Sequence, residues 1–109
     1  MKDDKVYLKH ILDSIGKIEG YMGGVEKQDF LDEPGMVNDS VVRQLEIIGE
    51  ASRNISENFR DSHQEVPWRS IIGMRNKITH EYMQVDYVEV WNVVKYDLPE
   101  LKEKILRLL

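Results

Sequence analysis

Apolar residues recur at intervals of three and four along nearly the whole chain, and this spacing restricts the possible folds more than any other feature. In residues 6–22 it runs through Leu8, Ile11, Leu12, Ile15, Ile18 and Met22. In residues 41–55 it runs through Val41 or Val42, Leu45, Ile48, Ser52 and Ile55. The period places these side chains on one face of an α-helix. No strand-like alternation of useful length is present, so the sequence predicts an all-α protein.

The first two helices are separated by a short connection. Gly23 and Gly24 end the first helix, since glycine suits the backbone at a helix C-terminus. In residues 26–36, Phe30 and Leu31 are predicted to fill one end of the bundle. The second helix can then be capped by one of three consecutive polar residues, Asn38, Asp39 or Ser40.

Turn and capping residues divide the second half of the chain in the same way. Residues 58–65 are polar and read as a loop, and Pro67 suits the first turn of a long helix. Asp86, with Glu89 three residues later, predicts a capping box for the next helix. Pro99 either kinks that helix or starts a last one, with the apolar stripe Leu98, Leu101, Ile105 and Leu108. The predicted architecture is one domain over residues 1–109, an up-and-down bundle of four to five helices.

The helix that follows Asp86 has apolar residues on more than one face. They are Tyr87, Val90, Trp91, Val93 and Val94. In so small a bundle a second apolar face is often covered by another chain, so the sequence predicts a homodimer.

Composition excludes several functional classes. The net charge of −5 argues against a general binder of DNA or other polyanions, so any RNA binding is expected to be weak and salt-dependent. The chain has no cysteine, and its three histidines do not have the spacing of a known metal motif. No metal or cofactor is predicted. The absence of a signal-like or membrane-spanning apolar run predicts a soluble, cytoplasmic protein.

Residues 75–82, RNKITHEY, place an arginine where a hydrophobic stripe is expected. If residues 67–83 form one helix, Arg75 lies on the same face as Trp68, Ile71, Ile78 and Tyr82. Either Arg75 extends out of a core stripe, or it lies in a cleft where a charge is needed. Glu46 and Glu50 are either a solvated edge or partners for Arg75 in that cleft.

The same helix would place Asn76 four residues before His80, where its amide can orient the imidazole. An arginine and a histidine together suit phosphodiester cleavage without a metal. Imidazole transfers protons near neutral pH, and guanidinium holds phosphate oxygens as charge builds up. The alternative is a buried hydrogen-bonding cluster that closes the bundle, with a surface histidine.

RNKITHEY, together with EVPWRSIIGM, LEIIGEA and VDYVEVWNVVKYDLPEL, resembles the HepT-like toxin family of HEPN-domain proteins from about residue 4 to the C-terminus. The resemblance implies a dimeric helical bundle that cleaves RNA without a metal. It further implies a minimal nucleotidyltransferase (MNT-type) antitoxin as partner. Carried over by position, Arg75 and His80 form the catalytic pair, Asn76 is the polar residue after the arginine, and Tyr82 is the site of adenylylation. A non-catalytic adaptor for the nucleotidyltransferase and a purely structural helical dimer remain as alternatives.

Overall fold

The computed structural model describes residues 3–80 and 84–109, and most of them are helical. In chain order the elements are α1 (Asp4–Met22), α2 (Lys27–Asp32), α3 (Met36–Asn54), α4 (Glu57–Ser62), α5 (Trp68–Ile72), α6 (Met74–Ile78), α7 (Tyr87–Asn92), a π-helical segment (Val93–Asp97) and α8 (Leu98–Leu108). The predicted all-α class is confirmed.

Helices α1 and α3 pack against each other more extensively than any other pair and form the centre of the molecule. Their predicted stripes supply buried side chains, among them Leu8, Ile11, Ile15 and Ile18 from α1 and Val41, Leu45 and Ile48 from α3. Ser52 is also fully buried, and its hydroxyl donates to the carbonyl of Ile48 at 2.8 Å. That hydrogen bond satisfies the one polar position in the α3 stripe.

Helix α3 begins at Met36, two residues before the predicted capping residues. Asn38 therefore lies inside the first turn, where its Oδ1 accepts from the Gly35 N–H at 3.1 Å. Its Nδ2 donates to the carbonyl of Phe30 at 2.7 Å. The predicted cap was wrong because the Asn38 amide reaches back and ties α3 to α2. Phe30 is buried as predicted.

The polar stretch predicted to be a loop contains α4. Ser56 caps this helix, since its hydroxyl oxygen accepts from the Phe59 N–H at 3.2 Å. The Ser56 hydroxyl and backbone N–H both donate to the carboxylate of Asp4, each at 2.7 Å. A serine at this position was a signal for a helix start, and the polar composition of the stretch obscured it.

The single helix predicted over residues 67–83 is wrong. The chain breaks at Gly73 between α5 and α6, and α6 ends at Ile78. Thr79 is extended and forms an antiparallel bridge with Val85. Glycine weakens a helix interior, whereas β-branched residues such as Ile78 and Thr79 favour extended backbone. Residues 75–80, the described part of RNKITHEY, are therefore the end of a short helix followed by extended backbone.

Asp86 caps α7 as predicted, because its Oδ1 accepts from the Glu89 N–H at 3.0 Å. The second half of the predicted capping box is absent, since the Asp86 N–H donates to the carbonyl of Ile78 at 2.7 Å. Pro99 lies in the first turn of α8, where its missing N–H costs little, and the π-helical segment precedes it. The α8 stripe is confirmed, with Leu98, Leu101 and Ile105 buried and Leu108 half-buried.

The second apolar face of α7 is covered within the same chain. The Phe30 ring of α2 packs against Tyr87 and Trp91, with ring centroids 5.9 Å and 5.7 Å apart. The argument from this face to a partner chain was therefore wrong for these two aromatic residues. Val88 and Tyr96 are more than half exposed. The homodimer itself stays a prediction.

Gly49 allows α3 to approach α5 closely, and we expect Gly49→Ala to destabilise the protein. A Cβ on Gly49 would lie 3.0 Å from the carbonyl oxygen of Ile71. Overpacking of this kind costs about 1–3 kcal/mol, and the better helix propensity of alanine returns up to about 1 kcal/mol. Urea unfolding should show a net loss of up to about 3 kcal/mol, obtained as the difference between these two effects.

Gly16→Ala is the matched control for this substitution. Gly16 also lies inside a long helix, α1, but a Cβ there would have no atom within 4 Å. We expect Gly16→Ala to stabilise the protein by up to about 1 kcal/mol. Equal effects of the two substitutions would contradict a steric role for Gly49.

Candidate active site

Helix α6 turns Arg75 away from the core. Met74 and Ile78 are the buried residues of this helix, whereas Arg75 is exposed. Met74 lies three residues after Ile71 and four before Ile78, and it occupies the place in the buried stripe that the sequence assigned to Arg75. Of the two predicted alternatives, the structure supports the second: Arg75 lines a cleft.

This cleft has a volume of about 170 Å³ and lies between α3 and the residues at and around the start of α6. Its walls are formed by Glu46, Gly49, Glu50, Arg53, Ile72, Met74 and Arg75. Glu50 forms an ion pair with Arg53 at 3.5 Å. The two glutamates of α3 therefore line the same cleft as Arg75, while the Glu50–Arg53 pair lies at an exposed edge, with side chains 65% and 61% exposed.

Ion pairs of Lys77 hold α6 against α7 and the π-helical segment. The Lys77 Nζ lies 3.2 Å from the Oδ2 of Asp97 and 3.9 Å from the Oε1 of Glu89. Met74 and Ile78 pack into the core from the same helix. Arg75 and Asn76, both exposed, are thus carried by a helix that is fixed on its other sides.

His80 lies beyond the end of α6, on the extended segment. Its backbone N–H donates to the carbonyl of Gln84 at 2.7 Å, next to the Thr79–Val85 bridge. The predicted contact between Asn76 and His80 required a continuous helix, so that geometry is wrong. Tyr82 lies outside the described residues.

Asp86 is the residue of this region that sequence reasoning missed, because it was assigned only as a helix cap. Its Oδ2 lies 2.9 Å from the Nε2 of His80. This hydrogen bond and the one from the Glu89 N–H hold the pKa of the Asp86 carboxyl below its usual range. The six-residue separation gives no helical contact, and only the extended backbone at Thr79 and Val85 brings the two side chains together.

The alternative of a buried cluster with a surface histidine is contradicted at Arg75 and Asn76, which are both exposed. The side chain of His80 is 64% exposed, which both interpretations allow. Polar groups that stay in contact with water need no mutual hydrogen bonds to satisfy them. Their exposure therefore gives them no part in closing the core.

We expect Asp86 to make the stability of the protein depend on pH in acid. Its folded pKa is lowered, so its stabilising contribution is complete above the unfolded value of 3.8 and is lost as the pH falls through the lower folded value. Urea midpoints of wild type and Asp86→Asn should differ at pH 5 and converge well below pH 3.8. A difference that grows in acid would contradict this assignment.

The described part of the chain contains neither a candidate metal site nor a candidate membrane-spanning helix. Within residues 3–80 and 84–109, no three histidine, aspartate or glutamate side chains form a group that could hold a metal ion. No helix in these ranges is long and apolar enough to cross a membrane.

The fold and the exposed residues define a class of protein: a small all-α protein that presents an arginine and a histidine–carboxylate pair on its surface. A family model described as "Ribonuclease HepT-like" matches residues 11–108. The chain belongs to the HepT-like ribonuclease family.

Relatives of known name agree with this family. The chain is 41% identical over 107 residues to a Thermococcus cleftensis protein named "Probable ribonuclease HepT", covering 98% of this chain and 96% of that one. It is 38% identical over 109 residues to a Caldanaerobacter subterraneus protein named as a "Putative RNase", covering 100% and 96%.

A third relative is a longer protein. A Methanocaldococcus jannaschii protein named "Gamma-glutamylcyclotransferase and putative RNase" is 42% identical over 108 residues. The match covers 99% of this chain but 48% of that protein, so the chain spans about half the length of this relative. No solved structure matches the chain.

Proposed function

We propose that this protein is a metal-independent endoribonuclease toxin in which Arg75 and His80 act on the scissile phosphate. The observation that carries the proposal is that both side chains are exposed at the junction of α6 and the segment after it. The Thr79 N–H donates to the Arg75 carbonyl at 3.0 Å, so a single helical turn separates Arg75 from the residue before His80. The names of the relatives support ribonuclease chemistry at the level of the family.

The proposed reaction needs only groups that this surface supplies. The RNA 2′-oxygen attacks the adjacent phosphorus and gives its proton to a neutral imidazole. The bond from phosphorus to the 5′-oxygen breaks, and that oxygen takes a proton from an imidazolium. Arg75 holds the non-bridging oxygens through two parallel N–H donors as charge builds up, and Asn76 donates beside it. The products are a 2′,3′-cyclic phosphate and a 5′-hydroxyl.

We further propose that the active form is a homodimer. One histidine is poorly suited to act as base and acid in the same step, and two copies of His80 across an interface would divide the work. Light scattering should give the mass of two chains under conditions in which RNA is cleaved. A cleaving monomer would contradict the composite site.

The proposal includes regulation by a minimal nucleotidyltransferase antitoxin. Tyr82 lies two residues after His80 in the chain. Adding AMP to its hydroxyl would bring bulk and negative charge close to the site and oppose an RNA phosphate. Incubation with such an enzyme and ATP should add one AMP to wild type and none to Tyr82→Phe, by intact-protein mass spectrometry.

The direct test is cleavage of labelled total tRNA and mRNA in excess EDTA by protein shown by mass to be unmodified. Wild type is expected to cleave in the chelator and to leave cyclic phosphate ends. No cleavage would contradict the enzyme and favour an adaptor for the nucleotidyltransferase. Cleavage that stops in EDTA would contradict the metal-independent reaction.

A further inference from the structure

We propose that Asp86 is the positioning residue of this site, and that its carboxylate holds the His80 imidazole with a proton on Nε2 and Nδ1 directed to the RNA. This inference rests on the proposed function, in which His80 transfers a proton. The observation that carries it is the 2.9 Å distance between the Nε2 of His80 and the Oδ2 of Asp86.

The Asp86 carboxylate is itself fixed by α7 and by the end of α6. Its Oδ1 accepts from the Glu89 N–H at 3.0 Å as the N-cap of α7. Its backbone N–H donates to the carbonyl of Ile78 at 2.7 Å. The two carboxylate oxygens therefore have different tasks: one caps a helix, and the other faces His80.

His80 gains its side-chain orientation from this contact. Its backbone is held by the hydrogen bond to Gln84, but the side chain is 64% exposed, so little packing restrains the ring. The Asp86 side chain is only 32% exposed. A fixed, half-buried carboxylate can thus impose one orientation on an exposed imidazole.

The protonation state follows from the chemistry of the two groups. The lowered pKa of Asp86 keeps its carboxylate ionised in the neutral range, and an ionised carboxylate can only accept hydrogen bonds. Nε2 must therefore donate. The lone pair of neutral His80 is then on Nδ1, which can take the proton of the 2′-hydroxyl. The carboxylate stabilises the imidazolium that forms without itself becoming protonated.

Two substitutions separate positioning from helix capping. Asp86→Ser keeps a good N-cap but is too short to reach His80 as well. Asp86→Asn can keep its oxygen on the Glu89 N–H, and its NH₂ group then takes the place of Oδ2 and donates to Nε2. Neutral His80 would have to carry its proton on Nδ1, the opposite tautomer. Asp3→Ser and Asp3→Asn are matched controls, because Asp3 caps α1 by accepting from the Lys5 N–H at 3.0 Å.

The first readout is the tautomer of neutral His80, measured by ¹⁵N NMR of protein without RNA. We expect the Nε2–H form in wild type and both Asp3 variants, the Nδ1–H form in Asp86→Asn, and a mixture in Asp86→Ser. A wild-type ring that favours Nδ1–H, or a tautomer that neither Asp86 variant changes, would overturn the proposal. This measurement needs no cleavage, so it decides the role of Asp86 even if the wild type fails to cut RNA.

The second readout is the rate of RNA cleavage. We expect kcat to fall at least about 10-fold in both Asp86 variants, because Asp86→Asn imposes the wrong tautomer and Asp86→Ser leaves the imidazole without an orienting carboxylate. KM should change less than about 3-fold, since Asp86 does not touch the RNA. The Asp3 variants should stay within about 2-fold of wild type. Full activity in a folded Asp86→Ser protein would show that Asp86 acts only as a helix cap and would overturn the proposal.

Discussion

His80→Ala is expected to lower the rate of RNA cleavage by about 10²–10⁴-fold while leaving the fold intact. The rate falls because a positioned imidazole contributes about that factor as a proton donor or acceptor. The fold is retained because the His80 side chain is 64% exposed and contributes no buried surface to the core. Single-turnover cleavage of a labelled RNA in EDTA measures the rate, and circular dichroism checks the helices.

His63→Ala is the matched control for this variant. His63 is also a histidine paired with a carboxylate, with its Nδ1 3.3 Å from the Oε1 of Glu65, and it lies at the end of α4 away from α6 in the sequence. We expect the activity of His63→Ala to remain within a few-fold of wild type. Equal losses in the two variants would show a general effect on the protein and not a catalytic role for His80.

Arg75→Ala is expected to reduce cleavage by about 10²–10³-fold, the cost of removing one donor from a developing oxyanion. Arg75→Lys should recover only part of the loss, because an ammonium keeps the charge but lacks the planar fork that binds two phosphate oxygens. Rates at saturating RNA separate this effect from weaker binding, since a donor used in the transition state lowers kcat.

Arg107→Ala controls for the loss of one positive charge. Arg107 lies near the end of α8, its side chain is 73% exposed, and it pairs with Glu103 at 4.0 Å. Its removal should change cleavage only slightly at moderate salt, because exposed charges are screened. If Arg75→Ala and Arg107→Ala lower the cleavage rate equally, Arg75 contributes only to the overall electrostatic field of the protein.

The long helices could be predicted from sequence because their information is local. The stripes of α1, α3 and α8 repeat over three or more turns, and most of the residues that the period indicated are buried, whereas Leu12, Met22 and Leu108 are half-buried. Apart from the cap of α3, the errors in helix assignment fell on short elements. α4 is six residues long and α5 and α6 are five each. Elements this short contain too few residues for a periodic pattern, so a single serine or glycine sets where they begin or end.

The sequence named the residues of the candidate site, whose catalytic roles stay predictions, and it misjudged their geometry. Arg75 and His80 were named from their chemistry, and the structure leaves both exposed. A single helix would have placed the His80 side chain next to Asn76. Because α6 ends at Ile78, His80 instead forms a hydrogen bond with Asp86. The backbone pairing between Thr79 and Val85 depends on the tertiary structure. The spacing of these two residues in the sequence does not predict it.

The sequence by itself determined the helical class, the buried faces of the long helices and the residue types available for phosphodiester chemistry, because periodicity and side-chain chemistry are properties of the chain. Only the tertiary structure decided which side chains meet. It placed Glu46 and Glu50 in one cleft with Arg75, covered the aromatic face of α7 with Phe30, and brought Asp86 to His80. The physical reason is that these contacts depend on where each helix stops, and a helix stops where packing and backbone hydrogen bonds elsewhere in the fold outweigh local propensity.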